Sequence, residues 1–170
     1  RRGAERHTRH TRRGSTAGWT PRETGEPFAS FYFGGFGNNW VDYRPEKRYR
    51  EFLSFPGVEI DEIPGSNFAR TMLEWNLPPV RFRGAGTADA YVQWARPALF
   101  ASAMVTNLDS EADLGSDDAR HVVGNVGAQV DFRVFALSRL EMTLSVGQAV
   151  AFEEGYSPRW ETMVSLKILR

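Results

Sequence analysis

Gly127-Ala128-Gln129-Val130-Asp131-Phe132-Arg133-Val134-Phe135-Ala136-Leu137 decides the fold class. Its even positions are apolar: Ala128, Val130, Phe132, Val134 and Ala136. Its odd positions run Gly127, Gln129, Asp131 and Arg133 before ending on Phe135. Successive side chains of a strand point to opposite faces, so this stretch carries one apolar face and one polar face. A 3.6-residue period would scatter the charges around a cylinder, and the helical reading fails.

The same period continues on the C-terminal side. Leu140, Met142, Leu144, Val146, Val150 and Phe152 share a face that only Gln148 interrupts. Glu141, Thr143, Ser145, Gly147, Ala149 and Ala151 share the other. Next, Trp160, Thr162, Val164, Leu166 and Ile168 oppose Glu161, Ser165 and Lys167. On the N-terminal side, Ala69, Thr71, Leu73, Trp75 and Leu77 oppose Phe68, Arg70, Met72, Glu74 and Asn76. Residues 88–106 form a long run interrupted by Pro97, which lacks an N–H and so requires an edge, a bulge or a strand end. The aromatic, glycine-rich stretch Phe28–Gly37 reads as a first strand, and Glu51–Phe55 and Val80–Arg83 as two short extra pieces. The fold class is all-β, an antiparallel meander of about six to eight long strands.

The links between strands alternate in length. About two residues join Leu137 to Leu140, as in a hairpin turn. Glu153–Arg159 is longer and holds Gly155 and Pro158; Asn107–Ala119 is long and acidic; Asn38–Gly65 is longer still. Pro78–Thr87 is shorter than Asn38–Gly65. Outer-membrane barrels have short periplasmic turns and longer extracellular loops, and every long link here falls on one side of such a barrel.

Composition narrows the function classes. The chain has 170 residues, 21 basic and 21 acidic, and no cysteine. That excludes disulfide scaffolds, cysteine-ligated metal sites and thiol catalysis. No run approaches the roughly 18 apolar residues of a spanning helix. Residues 1–13 hold six arginines against Glu5. Residues 1–27 offer little to bury beyond Trp19, and they read as a disordered basic tail. An arginine and histidine run without interleaved aromatics is a poor nucleic-acid signal, so no nucleic-acid partner is expected. The barrel segment is placed over residues 28–170, as the C-terminal part of a larger barrel, since six to eight strands is at or below the smallest closed set of about eight.

Alternation alone fits a soluble sheet with one wet face as well as a membrane barrel. Three details favour the barrel. The strands exceed the usual soluble length of about 5–6 residues. The polar face mixes small residues with opposite charges, as a crowded lumen requires. Phe152, Tyr156, Trp160 and Trp94 sit near strand ends, where an interfacial aromatic girdle lies. In a barrel, Arg70, Glu74, Asp131, Arg133, Glu141 and Lys167 face the lumen, where they pair with one another or line a polar path.

The residues also resemble a family. Gly65-Ser66-Asn67-Phe68-Ala69-Arg70-Thr71-Met72-Leu73-Glu74-Trp75-Asn76-Leu77-Pro78 resembles a recurring strand of the bacterial surface antigen barrels, of the barrel-assembly and translocation superfamily. Leu144–Ala149 through Val164–Leu169 looks like the closing hairpin of such barrels. Phe33-Gly34-Gly35-Phe36-Gly37-Asn38-Asn39-Trp40-Val41-Asp42 is similar to barrel regions attached to periplasmic β-propellers. The resemblance spans residues 28–169. It implies the outer membrane of a Gram-negative bacterium, with lipid, an upstream periplasmic domain of the same polypeptide and the barrel-assembly machinery as partners. The expected function is a membrane anchor or translocation pore of a larger protein, without covalent chemistry. The alternative is a soluble antiparallel β-sandwich or half-barrel that binds a ligand.

No hydrolase elbow, phosphate-binding glycine loop or paired-histidine metal motif occurs. His7 and His10 belong to the tail. His121 follows Asp117 and Asp118. A rim histidine is the plainer reading, beside an outer-membrane hydrolase as the least favoured one. Asp109, Glu111, Asp113, Asp117 and Asp118 lack the glycine spacing of a calcium loop and read as a solvated loop. The chain is expected to be no enzyme, with no cofactor and no metal.

Overall fold

The computed structural model describes residues 10–20, 30–37, 47–87, 89–108, 120–137 and 140–169. They form β1 (His10–Trp19), β2 (Phe31–Phe33), β3 (Ile63–Gly65), β4 (Asn67–Asn76), β5 (Val80–Gly86), β6 (Ala90–Thr106), β7 (Val122–Ala136), β8 (Leu140–Glu153) and β9 (Arg159–Leu169). Seven of these make one antiparallel sheet in the order β1-β4-β6-β7-β8-β9, with β5 also paired to β6. β2 and β3 form a separate ribbon. Among the described residues the sheet ends at β1 on one side and β9 on the other.

The expected all-β antiparallel sheet is present, and from β6 to β9 consecutive strands are neighbours as in the expected meander; β1 and β4 instead join it across skipped strands. β7 and β8 pair along their whole lengths, from Val123↔Glu153 to Ala136↔Leu140. β6 spans two shorter neighbours, pairing with β4 from Phe68↔Thr106 to Asn76↔Ala98 and with β5 from Val80↔Ala95 to Gly86↔Tyr91. Pro97 sits at the junction between them. Its carbonyl accepts the N–H of Leu77 at 3.0 Å. The N–H and C=O of one strand residue point the same way, so the missing donor faces the break between β4 and β5 and costs no ladder bond there.

Three stretches differ from the sequence expectation. The first is the basic tail, where His10–Trp19 forms an edge strand with ten register pairs on β4. A ladder needs backbone groups, not apolar side chains, and β4 offers a free edge. Gly18 also fits where a Cβ would lie 2.4 Å from the Phe68 ring. The rest of residues 1–27, apart from Thr20, lies outside the described residues.

The second is Phe28–Gly37. Only Phe31–Phe33 is a strand, and it pairs with β3 instead of joining the meander. Gly35 and Gly37 have φ of 63° and 119°, which turns the chain away from an extended path. The third is Glu51–Phe55, which is turn and bend after a 3-10 turn at Arg48–Arg50, with a single bridge Gly35↔Phe55. The Ser54 hydroxyl lies 2.8 Å from the carbonyls of both Tyr49 and Glu51, which favours the turn over a ladder.

These departures have one product. Residues 30–37 and 47–62, with β3, form a strap across one face of the sheet, here called the inner face. Phe33, Phe55, Val58 and Ile63 of the strap meet Phe68, Met104, Val123 and Ala151 of the sheet. Phe36 and Tyr49 meet Ala98, Phe100 and Ala149. The Tyr49 ring stacks on Phe100 with centroids 4.1 Å apart. Each such aromatic or aliphatic side chain contributes about 1.5–3 kcal/mol on burial.

Gly57 lets the strap lie close. Its φ is 101°, and a Cβ there would stand 2.6 Å from the backbone N of Ala151. Gly57→Ala is expected to cost about 1–3 kcal/mol from strained backbone alone, with more from the clash. A urea midpoint unchanged from wild type would contradict this.

Candidate functional site: a charged inner face and a bare outer face

Strand register sorts the polar residues. Ser102↔Asn125, Phe100↔Gly127, Ala98↔Gln129 and Arg96↔Asp131 pair across β6 and β7. Asp131↔Ser145 and Arg133↔Thr143 continue on β8, and Thr143↔Lys167 on β9. Arg70 and Glu74 pair with Met104 and Phe100 on the same side. All six polar candidates therefore project from the inner face, although the strap reaches only some of them.

Glu74 has no exposed surface. Arg50 of the strap grips it with two bonds, Nε to Oε2 at 2.6 Å and a second from Nη2 to Oε1. Asn76 also donates to Glu74. A forked guanidinium–carboxylate contact adds directional specificity to charge attraction. Asp131 accepts from Gln129 at 2.6 Å and from Ser145 at 2.8 Å, and pairs with the strap's Lys47 at 3.0 Å. Burial pushes the Lys47 ammonium below its ordinary range, while the Asp131 charge pulls the other way. Burial, followed by the nearby Glu74 charge, pushes the Tyr49 phenol well above its ordinary range.

Arg70 is buried differently. Its guanidinium donates to the strap carbonyls of Tyr49 and Phe52, both at 3.3 Å, and Glu51 at 3.4 Å. It also lies over the Phe55 ring at 5.9 Å. Arg133 and Glu141 pair with each other, both partly exposed.

Four anchors escape the sequence reading. Lys47 and Arg50 sit in a stretch that reads as a long link. The signal there is the run Lys47-Arg48-Tyr49-Arg50, three bases around one aromatic, which suits a segment meeting an acidic wall. Glu161 accepts the N–H of Phe36 at 3.1 Å and of Gly57 at 2.8 Å, so β9 holds the strap through one carboxylate. Asn125 donates to the Pro56 carbonyl at 2.7 Å and accepts from the Ser102 N–H at 3.0 Å.

His121 joins a chain of polar side-chain contacts. Its Nδ1 lies 2.6 Å from Glu153 Oε1, Arg159 donates to Glu153 Oε2 at 2.5 Å, and Arg159 also pairs with Glu62. The chain links the start of β7 and the sheet's β8 and β9 to the strap. Asp109 and residues 110–119 lie outside the described residues, and so does His7. Among the described residues no group of three or more potential ligands is arranged to hold a metal ion.

The outer face is the opposite. Leu73, Trp75, Leu99, Val126, Val146, Phe152, Trp160, Val164, Leu166 and Ile168 all stand exposed on it, with Trp160 and Val164 each at 69%. Val130↔Val146↔Val164 and Phe132↔Leu144↔Leu166 make continuous apolar rows across β7, β8 and β9. Gln148 and Thr162 face each other as a polar interruption. β1 departs from the pattern, since Thr11, Arg13 and Ser15 occupy its outer side. Phe152 and Trp160 neighbour each other by register on β8 and β9, and Trp19 lies at the same end of the sheet on its other edge strand, β1. No family model, curated protein or solved structure matches the chain.

Proposed function

We propose that this sheet is a segment of a transmembrane β-barrel that anchors a larger protein in the bacterial outer membrane. The observation that carries the reading is the bare apolar outer face. Isolated exposed apolar residues are ordinary, but contiguous patches beyond a few hundred Å² mark a surface that meets lipid or protein. From Leu140 to Phe152 the apolar face runs about 41 Å along the strand at about 3.4 Å per residue. A tilt of about 45° projects this to about 29 Å, near the hydrocarbon thickness of about 30 Å. Exposed Trp19, Phe152 and Trp160 at one end suit an interfacial girdle. The open sides at β1 and β9 would be closed by further strands of the same polypeptide.

The inner face favours an anchor over an open pore. The strap covers Glu74, Arg70 and Asp131, all buried. The resemblance to surface antigen barrels supports the same location. A soluble β-sandwich would instead need a second sheet over the apolar rows.

The test is fractionation of cells expressing the full polypeptide, with the outer-membrane fraction run on gels before and after boiling. The expected result is a band in that fraction whose mobility changes on heating, as a closed barrel's does. A freely soluble product without a heat shift would overturn the reading.

A further inference from the structure

Below the strap, the inner face carries an uncompensated cationic cluster around one indole, and its chemistry does not depend on whether the sheet spans a membrane. Trp94 lies directly opposite Arg81 of β5 and directly opposite Arg133 of β7. Arg96, two residues further on the same side of β6, places its guanidinium 4.8 Å from the Trp94 ring centroid. The Arg133 guanidinium lies 5.9 Å from the same ring. Three arginines thus surround one tryptophan.

Their charges are not balanced locally. Arg133 is paired by Glu141. Arg96 faces Asp131 across the ladder, but the Asp131 oxygens are held by Lys47, Gln129 and Ser145. Arg81 and Arg96 have no acidic partner among the described residues, and both are exposed. Diagonal neighbours on adjacent strands stand about 7–8 Å apart, so Arg81 and Arg96 can both reach one small anion between them. Like charges held side by side repel unless an anion sits between them, and a planar guanidinium stacked on an aromatic face still presents its N–H edge.

We infer that Arg81 and Arg96, set against Trp94, form a binding site for a phosphate-type oxyanion. Each guanidinium supplies a fork of two N–H donors, and the indole holds Arg96 in place. The same chemistry is presented by a free phosphate and by an anionic phospholipid headgroup.

The experiment is equilibrium dialysis of radiolabelled pyrophosphate against the full polypeptide in non-ionic detergent, with sodium chloride matching ionic strength. Saturable binding by the wild type is expected, at least tenfold weaker in Arg81→Gln/Arg96→Gln. Arg12→Gln/Arg13→Gln removes the same charge from β1 and is expected to bind as wild type. Arg96→Lys keeps the charge and loses the fork, and an intermediate affinity is expected, which serves if the double variant fails to fold. Absence of saturable binding, or an equal loss in the Arg12/Arg13 variant, would overturn the site. Displacement of pyrophosphate by phosphatidylglycerol but not by phosphatidylcholine, each added as mixed micelles in the same detergent, assigns the anion to a headgroup; no displacement by either assigns it to a soluble phosphate.

Discussion

Arg50→Met is expected to destabilise the chain by about 3–5 kcal/mol, because it strands a carboxylate inside the protein. Glu74 has no exposed surface, and Arg50 makes both of its charge-neutralising bonds. Asn76 would remain as a donor, but a neutral one. The reverse change, Glu74→Leu, should cost less, since Arg50 keeps 18% of its side chain exposed and can turn toward water. The double variant Arg50→Met/Glu74→Leu should recover most of the loss, because well-packed apolar residues often replace a buried ion pair at little cost. Urea midpoints for the four proteins close the cycle. Equal, additive losses in the two single variants would show that the pair is not coupled and that the strap is held by its aromatic contacts instead.

The strap explains what is readable in the sequence. Period-two alternation exposes β4, β7, β8 and β9, because each has one apolar and one polar side over most of its length. It also places Arg70, Glu74, Asp131, Arg133, Glu141 and Lys167 on one side, since alternation needs only the strand and not its neighbours. It cannot supply their partners. Lys47 and Arg50 come from a segment without a period, folded by turns and by Gly57 rather than by a ladder. β1 escapes for a related reason. Its stabilisation is backbone hydrogen bonding to the β4 edge, which leaves no mark on side-chain hydrophobicity. Phe31–Phe33 reads correctly as a strand but joins the wrong partner in that reading, because composition says nothing of which edge a short strand meets.

The two faces also come close to an inversion of the usual soluble arrangement, in which the apolar side of a sheet is the covered one. The covered side mixes its apolar clusters around Phe68 and Phe100 with buried polar groups, while the bare side is apolar. Here the covered side carries Glu74, Gln129, Asp131 and Asn125, each with a hydrogen-bonding partner. The strap supplies the aromatic rings that fill the space between them. The uncovered side carries valine, leucine, isoleucine and tryptophan. A chain arranged this way in water would leave its most costly surface exposed while burying charges. In lipid both choices are favourable, since apolar residues meet acyl chains and the polar residues are kept from them.

That near-inversion leads to a sharp expectation for Val146→Arg. Val146 lies midway between Leu140 and Phe152 on β8, flanked by Val130 and Val164, and 38% of its surface is exposed. In a soluble protein, a surface change of this kind stays within about 0.5 kcal/mol. On the lipid face near the bilayer midplane it costs about 2–4 kcal/mol. Glu154→Arg, in the exposed link after β8, adds a positive charge away from the apolar rows and serves as the control. Heat-modifiable gel bands along a urea series would read both. Val146→Arg should move the unfolding midpoint far below wild type while Glu154→Arg stays near it. Equal midpoints for the two would mean that water, not lipid, covers the outer face around Val146, and would overturn the barrel reading.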